Sequence, residues 1–482
     1  MIHKKRTTAL MTAALLATLA LAPLAGAAED DAAAMRAKIV ELERQQQQMQ
    51  SEMKALREML DAKAAAPAPA PEDRVVEVER KQGIMTDELR RVKEALVLPE
   101  TKELKSQYGL GPAASKVYGI AQGISLAGYG EFNYKNVVSD RGSTNDDFDF
   151  LRMVLYAGYK FSDRILFNSE IEFEHASTGK SGEVSVEFAS LDFFLDPKIN
   201  LRAGLMLVPM GFVNEIHEPP FFHGNLRPQV EQQIIPSTWR ANGAGIFGEL
   251  MPGLQYRSYV ITGLNARGFN SSGIRGGRQS GSVEKAEDFA WVGRLDYSPI
   301  EMLTIGGSAY IGNSGQDQAF GNSRDGFTKP DILTQIYEAH AQLHTHGFET
   351  RLLGAWMNVD DAGAISRDST INPAILDPTK KDQPFAGSQF GWYGEVAYDI
   401  LPLVFADTTQ YLAPWFRYTR IDNQDEVPSG FTADESRDRD IYEVGLSYKP
   451  ISKVVLKLDY RNQDPKSGKL PDEVRLGAGF VF

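Results

Sequence analysis

Cysteine is absent from the chain, which excludes a disulfide scaffold, a thiolate metal site and a cysteine nucleophile together. Long apolar runs are absent as well. Past residue 27 no stretch supplies the roughly 18 consecutive apolar residues that a membrane-spanning helix requires. Basic charge is in deficit: 51 Lys and Arg stand against 64 Asp and Glu, a net charge of −13. That balance argues against nucleic acid as a partner, because such partners need a basic footprint. No HExxH, no GxSxG and no Walker lysine occurs, so neither a zinc protease, a serine hydrolase nor a nucleotide-binding enzyme has residues to rest on. The reading is therefore of a non-enzyme without a cofactor.

What the chain does contain begins with an export signal. Lys4, Lys5 and Arg6 form a basic start, Leu10 to Leu21 an apolar core, and Ala25-Gly26-Ala27 a small-x-small cleavage pattern, so residues 1–27 read as a signal peptide. Its removal takes three positive charges and no negative ones, and −13 becomes −16. An exported chain of this length without disulfides is stabilised by its own core or by a membrane. Without a spanning helix, the remaining way to cross a bilayer is a closed β-barrel, because unpaired backbone groups cannot face hydrocarbon.

Residues 28–63 carry heptads. Met35, Leu42, Met49 and Leu56 recur every seven positions, with Ile39, Gln46, Met53 and Leu60 four after each, the two seam positions of a coiled coil. The Ala/Pro stretch 64–72 is a semi-rigid spacer. A second seam in 73–98 runs through Val75, Val78, Gln82, Met85, Leu89, Val92 and Leu96. Self-association through this stalk is expected, and residues 99–121 read as a linker.

From residue 122 to the end the period changes to two. Ile165, Phe167, Ile171 and Phe173 alternate with Arg164, Glu170, Glu172 and Glu174, and Val454, Leu456, Leu458 and Tyr460 with Lys457, Asp459 and Arg461. Segments of this kind point to an all-β transmembrane barrel of 16 antiparallel strands, preceded by a short α-helical coiled coil. Tight turns, such as 160–163, 251–253 and 450–452, alternate with long polar connections at 266–287, 313–332, 360–388 and 421–439. Aromatics placed near strand ends (Tyr129, Tyr134, Tyr159, Phe161, Trp291, Tyr297, Trp415, Tyr418, Tyr448) suit the girdles of a membrane barrel. The chain closes on Val474, Leu476, Ala478, Phe480 and Phe482, an outward-facing strand ending in phenylalanine.

From about Gly128 onward the chain resembles the phosphate-selective porin O/P group of outer-membrane porins. The residues carrying the resemblance are Leu191-Asp192-Phe193, Leu201-Arg202-Ala203-Gly204, Val208-Pro209-Met210-Gly211 and Pro236-Ser237-Thr238-Trp239. It implies a homotrimer in the Gram-negative outer membrane with the stalk in the periplasm. Phosphate does not carry across, because the candidate loop has no run of lysines.

That loop, Leu207 to Arg240, is too apolar and too proline-stiffened for a solvated tip. It is the third long connection, the one expected to fold into the barrel. On it Glu215, His217, Glu218, His223, Arg227, Glu231 and Arg240 are candidates for a pore constriction. On the wall the polar face offers Arg152, Arg202, Arg257, Arg294, Arg351, Glu170 and Glu172, with Arg417, Lys457, Arg461, Arg475, Asp296, Glu349, Glu443 and Asp459 beside them. Rings of charge filter ions by sign, and both signs are present here. Metal ligation by Glu215, His217, Glu218 and His223, or by His340, His344 and His346, lacks a recognised ligand spacing, and no metal is expected. The Gly273–Gly281 stretch reads as a flexible external loop. The function expected is passive diffusion of small hydrophilic solutes or ions through an outer-membrane porin whose partners are lipid and copies of itself. The alternative is a structural anchor whose coiled coil reaches toward the cell wall.

Overall fold

The computed structural model describes residues 105–482 apart from 141, 177, 180 and 181. The expected signal peptide, both heptad segments, the Ala/Pro spacer and residues 99–104 lie outside the described residues.

The strands follow one another along the chain. The first five are β1 (Gly123–Ser139), β2 (Asp147–Ser162), β3 (Ile165–Glu174), β4 (Val184–Asp196) and β5 (Ile199–Leu207). Next come β6 (Arg240–Met251), β7 (Leu254–Thr262), β8 (Phe289–Ile300) and β9 (Leu303–Asn313). A small hairpin, β10 (Phe320–Asn322) and β11 (Gly326–Thr328), stands in the connection that follows. The rest are β12 (Leu333–Thr345), β13 (Phe348–Val359), β14 (Ser388–Tyr398), β15 (Tyr411–Glu426), β16 (Asp438–Ile451), β17 (Val454–Pro465) and β18 (Asp472–Val481). All except the hairpin pair in sequence order into one closed barrel of sixteen strands, and β18 returns to pair antiparallel with β1. At the seam Gly128 N–H donates to Phe482 O at 3.1 Å and Phe482 N–H to Gly128 O at 2.9 Å. The carboxy-terminal strand therefore satisfies the backbone groups that an open sheet would leave bare.

Alternation decides which side chains go where, and it runs opposite to a soluble sandwich. On β3 Asn168, Glu170 and Glu172 are buried inside the barrel while Ile165 and Phe173 face out. On β17 Lys457, Asp459 and Arg461 are buried inside. The outside keeps large apolar groups exposed over many strands: Ile124 at 72%, Leu126 at 63%, Val260 at 54% and Leu352 at 53%. Such an apolar exterior is far larger than the scattered patches a water-soluble monomer leaves exposed.

Connections are two residues long at one rim, apart from 399–410, and longer at the other. The short rim includes 163–164, 197–198, 252–253, 301–302, 346–347 and 452–453. Gly253 takes φ +81 there, and a Cβ on it would collide with the carbonyl oxygen of Ser298. At the opposite rim the expected connection 421–439 is shorter than read, because β15 runs to Glu426 and β16 starts at Asp438. Its residues are polar on both faces, so alternation could not reveal the strand, yet Ser388 pairs with Glu426 and Ile421 with Arg439. Gly273–Gly281 is not an open external loop either: Ile274 is fully buried in the main apolar cluster and Gly277 is buried beside Phe269. Two of the expected girdle aromatics point inward. Tyr129 is buried 5.9 Å from the His217 ring, and Trp415 is buried 6.0 Å from the His223 ring. Their parity on the strand, rather than their position near its end, determines the face.

Candidate functional site in the barrel lumen

Residues 208–239 fold into the lumen. Prolines at 209, 219, 220, 228 and 236 remove backbone donors and prevent a long helix, leaving only a 3-10 turn at Pro219–Phe221 and a helical turn at Val230–Gln233. Asn214 closes the base of the loop: its amide donates to Val208 O at 2.7 Å and Trp239 O at 2.9 Å, and its oxygen accepts from Trp239 N–H at 2.6 Å. Met210, Val230, Ile234, Ile235 and Trp239 then bury against inward apolar groups of the wall, among them Ile261, Val292, Tyr310, Ile336 and Met357. Each such side chain removed from water contributes about 1.5–3 kcal/mol before ordering costs.

The more proline-rich half, 219–228, has carbonyls without partners of its own, and the wall supplies cations to them. Arg351 donates to Phe221 O at 2.6 Å, Lys457 to Gly224 O at 2.8 Å, and Arg417 to His223 O at 2.7 Å. Arg294 donates to Gly211 O in the same manner. Arg417 is fully buried between the carboxylates of Glu395 and Glu443. Asp459 in turn accepts from Asn225 N–H at 2.9 Å. These wall charges, expected to form an ion-facing ring, are engaged in holding the loop.

The remaining candidates occupy separate sites. Glu215 faces Arg257 at 3.3 Å and Arg294 at 3.8 Å, and its carboxyl is raised by burial against the opposing pull of those arginines. His217 meets Glu170 at 3.1 Å, and burial, followed by Arg227 and Arg152, lowers it to about 3. Glu218 is raised to about 7 by burial. Glu231 accepts from Val213 N–H at 2.7 Å and Tyr393 O–H at 2.6 Å. Arg240 pairs with Glu187, and Arg202 with Asp192 at 2.7 Å. Arg152 lies between Glu131 at 2.8 Å and Glu172 at 3.0 Å. His223 contacts Ser447 and Glu349 at 3.1 and 3.2 Å, far from the groups around Glu215. His340 lies between Glu338 and Asp296, whereas His344 and His346 sit at the short rim, bonded to Gln342 and Thr345 respectively. Among the described residues no three His, Asp or Glu side chains converge as a metal site.

Arg227 differs from these. Among the described residues no carboxylate lies within ion-pair distance of it, nor of Arg275, Arg278 or Arg439. Arg275 and Arg278 stand on the connection 263–288, which the sequence predicts to be external, and Arg278 donates to Pro236 O at 3.3 Å at the base of the loop. Arg275 is exposed as a residue, yet the protein mass around its guanidinium, followed by Arg278, Arg227 and Arg152, lowers it to about 9. Arg227 is lowered by burial and then by Arg152. Arg439 reaches the same loop by donating to Gln233 Oε1 at 3.1 Å.

Sequence reasoning also missed the segment ahead of β1. The stretch expected to be a linker is, from Gln107 to Gly119, packed inside the barrel: Leu110, Ala113, Ala114 and Val117 are buried, the first three beside Tyr129, Val154, Tyr156 and Phe188. At loop level the inward groups on opposite walls, including Glu170, Arg202, His340, Glu395 and Arg417, are all buried. Toward the long rim Lys135 and Arg475 keep some surface, and toward the short rim Asp296 and Glu349 do. Inward polar groups thus keep surface near both rims and lose it at the level of the loop.

No family model matches the chain. An uncharacterized protein of Aquifex aeolicus (strain VF5) is 37% identical over 393 residues, covering 80% of this chain and 86% of that protein. Among solved structures, Salmonella typhi OmpF in complex with daunomycin covers 75% of this chain and 98% of its own, at 13% identity and a TM-score of 0.49. The anion-selective porin from Comamonas acidovorans covers 75% and 100%, at 9% identity and a TM-score of 0.45. A trimer form of OmpT, an outer membrane protein of Vibrio cholerae, also covers 75% and 100%, at 13% identity and a TM-score of 0.45. Scores of this size mark a broad likeness between barrels, and no residue role follows from them.

Proposed function

The chain belongs to one family with that Aquifex aeolicus protein, and from the closed barrel and its inside-out polarity we propose that it is an outer-membrane porin. A closed barrel with an apolar exterior is one of the two ways to satisfy every backbone group within hydrocarbon, and the export signal read at residues 1–27 delivers the chain beyond the inner membrane. Small hydrophilic solutes or ions pass down their gradient through the polar lumen, narrowed at 208–239. The heptad seams, together with the resemblance to the phosphate-selective O/P group, support a homotrimer with its stalk in the periplasm.

One observation carries the assignment further, to anions. Arg227 on the loop has Arg275 and Arg278 as neighbours, and Arg439 separately bonds the loop at Gln233, none of them with a carboxylate in ion-pair distance among the described residues. Arg227 and Arg439 are half-buried and Arg275 is exposed, and unpaired cations beside a water-filled path lower the barrier for an anion. The burial of inward groups at the level of the loop favours a second reading, a barrel that chiefly anchors the stalk in the membrane. Swelling of protein-loaded liposomes separates the two. A porin admits small neutral sugars and admits small organic anions faster than cations of equal size. Folded protein that admits none of them supports the anchor.

A further inference from the structure

Residues 105–119 form a compact knot rather than an extended connection. Leu110 N–H donates to Gln107 O at 3.0 Å, Ser115 N–H to Gly111 O at 2.9 Å, and Gln107 N–H to Ser115 Oγ at 2.9 Å. The knot is held to the rest of the lumen at separate points. The Glu218 carboxylate, on the constricting loop, accepts from Ala113 N–H at 2.9 and 3.1 Å and from Ala114 N–H at 3.2 Å. Asn168 on β3 donates to Ala114 O at 2.9 Å, Arg202 on β5 donates to Tyr108 O at 3.2 Å, and Tyr118 donates to Asp192 on β4 at 2.8 Å.

Two features distinguish this from ordinary docking. The contacts are side-chain hydrogen bonds and the packing of Tyr108, Leu110, Ala113, Ala114, Val117 and Tyr118, and among the described residues the segment forms no ladder with a barrel strand, so it can leave without dismantling the sheet. The knot lies against the β1 to β7 side of the barrel, with Tyr108 5.4 Å from the Phe247 ring of β6 and Gly109 beside Arg257 of β7, and the groups toward the short rim of the opposite wall, Glu349 on β13 and His344 on β12, retain surface. It therefore fills one side of the lumen below the loop and leaves the other side passable.

We propose that residues 107–119 are a built-in partial plug of the channel, latched to the constricting loop by Glu218, and that its withdrawal widens the path. This rests on the porin reading above. A closed plug gives a small conductance level and a withdrawn plug a larger one. Because the segment follows directly on the heptad-bearing residues in sequence, whatever those residues bind can set the balance between the levels.

The absence of cysteine makes a clean test available. A Cβ on Gly158 of β2 would lie 2.9 Å from Val117 Cβ, so a small outward shift of the segment, about 0.6 Å or more, brings the pair into the disulfide range. The full chain carrying Val117→Cys, Gly158→Cys and Glu218→Ala is recorded in planar bilayers, oxidised and then reduced on the same channels. Loss of the Glu218 latch is expected to add a larger conductance level, oxidation to abolish it and reduction to restore it. If Glu218→Ala prevents folding, Asn168→Ala takes its place with the same cysteine pair. Steps of one size in the oxidised, reduced and wild-type proteins overturn the plug and leave the porin standing. The absence of steps from folded protein in every form overturns the porin reading and the plug with it.

Discussion

His217 is the residue whose environment most clearly opposes its ordinary ionisation. It is buried between Asn214 O and the Glu170 carboxylate, with Arg227 and Arg152 near enough to disfavour a further positive charge, and it is lowered to about 3. A group that stays neutral when folded and gains a proton near pH 6.5 when unfolded supplies stability that is complete above pH 6.5 and disappears as pH falls toward 3. Acidification from pH 6.5 to 4.5 should therefore cost the wild type about 2–3 kcal/mol through this group alone. Glu218, raised to about 7, acts in the opposite direction over pH 4.5 to 7, so the comparison is made between wild type and His217→Gln, in which the Glu218 contribution cancels. Denaturant midpoints at the two pH values should show the smaller acid loss in the variant. Equal losses would mean that His217 already titrates normally in the folded state.

At the scale of elements, strands and loop obey different rules, and that difference explains what was readable beforehand. Strand residues follow a period of two set by lipid outside and polar lumen inside, so β3 and β17 are recognisable from their alternation alone. Where both faces turn polar, as at Asp422 to Glu426, the signal vanishes although the strand continues. Tyr129 and Trp415 show the complementary error: an aromatic near a strand end suits a headgroup girdle only when its parity points outward. That the loop turns inward could be inferred from its apolar and proline content, but its fastening could not. Arg351, Lys457 and Arg417 reach its carbonyls from positions more than 100 residues away in sequence, and no spacing records that. The knot at 107–119 escaped for the same reason, since its partners Asn168, Asp192, Arg202 and Glu218 are distant in the chain. Arg417 is the element-level test of this fastening. Arg417→Ala strands two buried carboxylates, Glu395 and Glu443, and frees the carbonyl of His223. The expected cost is about 3–5 kcal/mol, accompanied by protease cleavage within 208–239 of the folded barrel, which mass spectrometry locates. A loop as resistant as wild type would show that its apolar anchors hold it without the wall cations.

For the whole molecule, net charge and local charge disagree, and the local arrangement governs passage. The chain is acidic overall at −13, yet most lumen carboxylates are consumed in pairs such as Asp192 with Arg202 and Glu187 with Arg240, while Arg227, Arg275 and Arg439 stay unmatched among the described residues. A field at the level of the loop, rather than the sum over the surface, selects the ion. Single-channel recording of the full protein across a salt gradient measures that field most directly. The account predicts stepwise conductance with a reversal potential of the sign carried by anions, moved toward zero by Arg227→Gln. Stepwise conductance with the reversal potential of a cation-selective pore would contradict the arginine assignment, and folded protein without steps would contradict the channel itself.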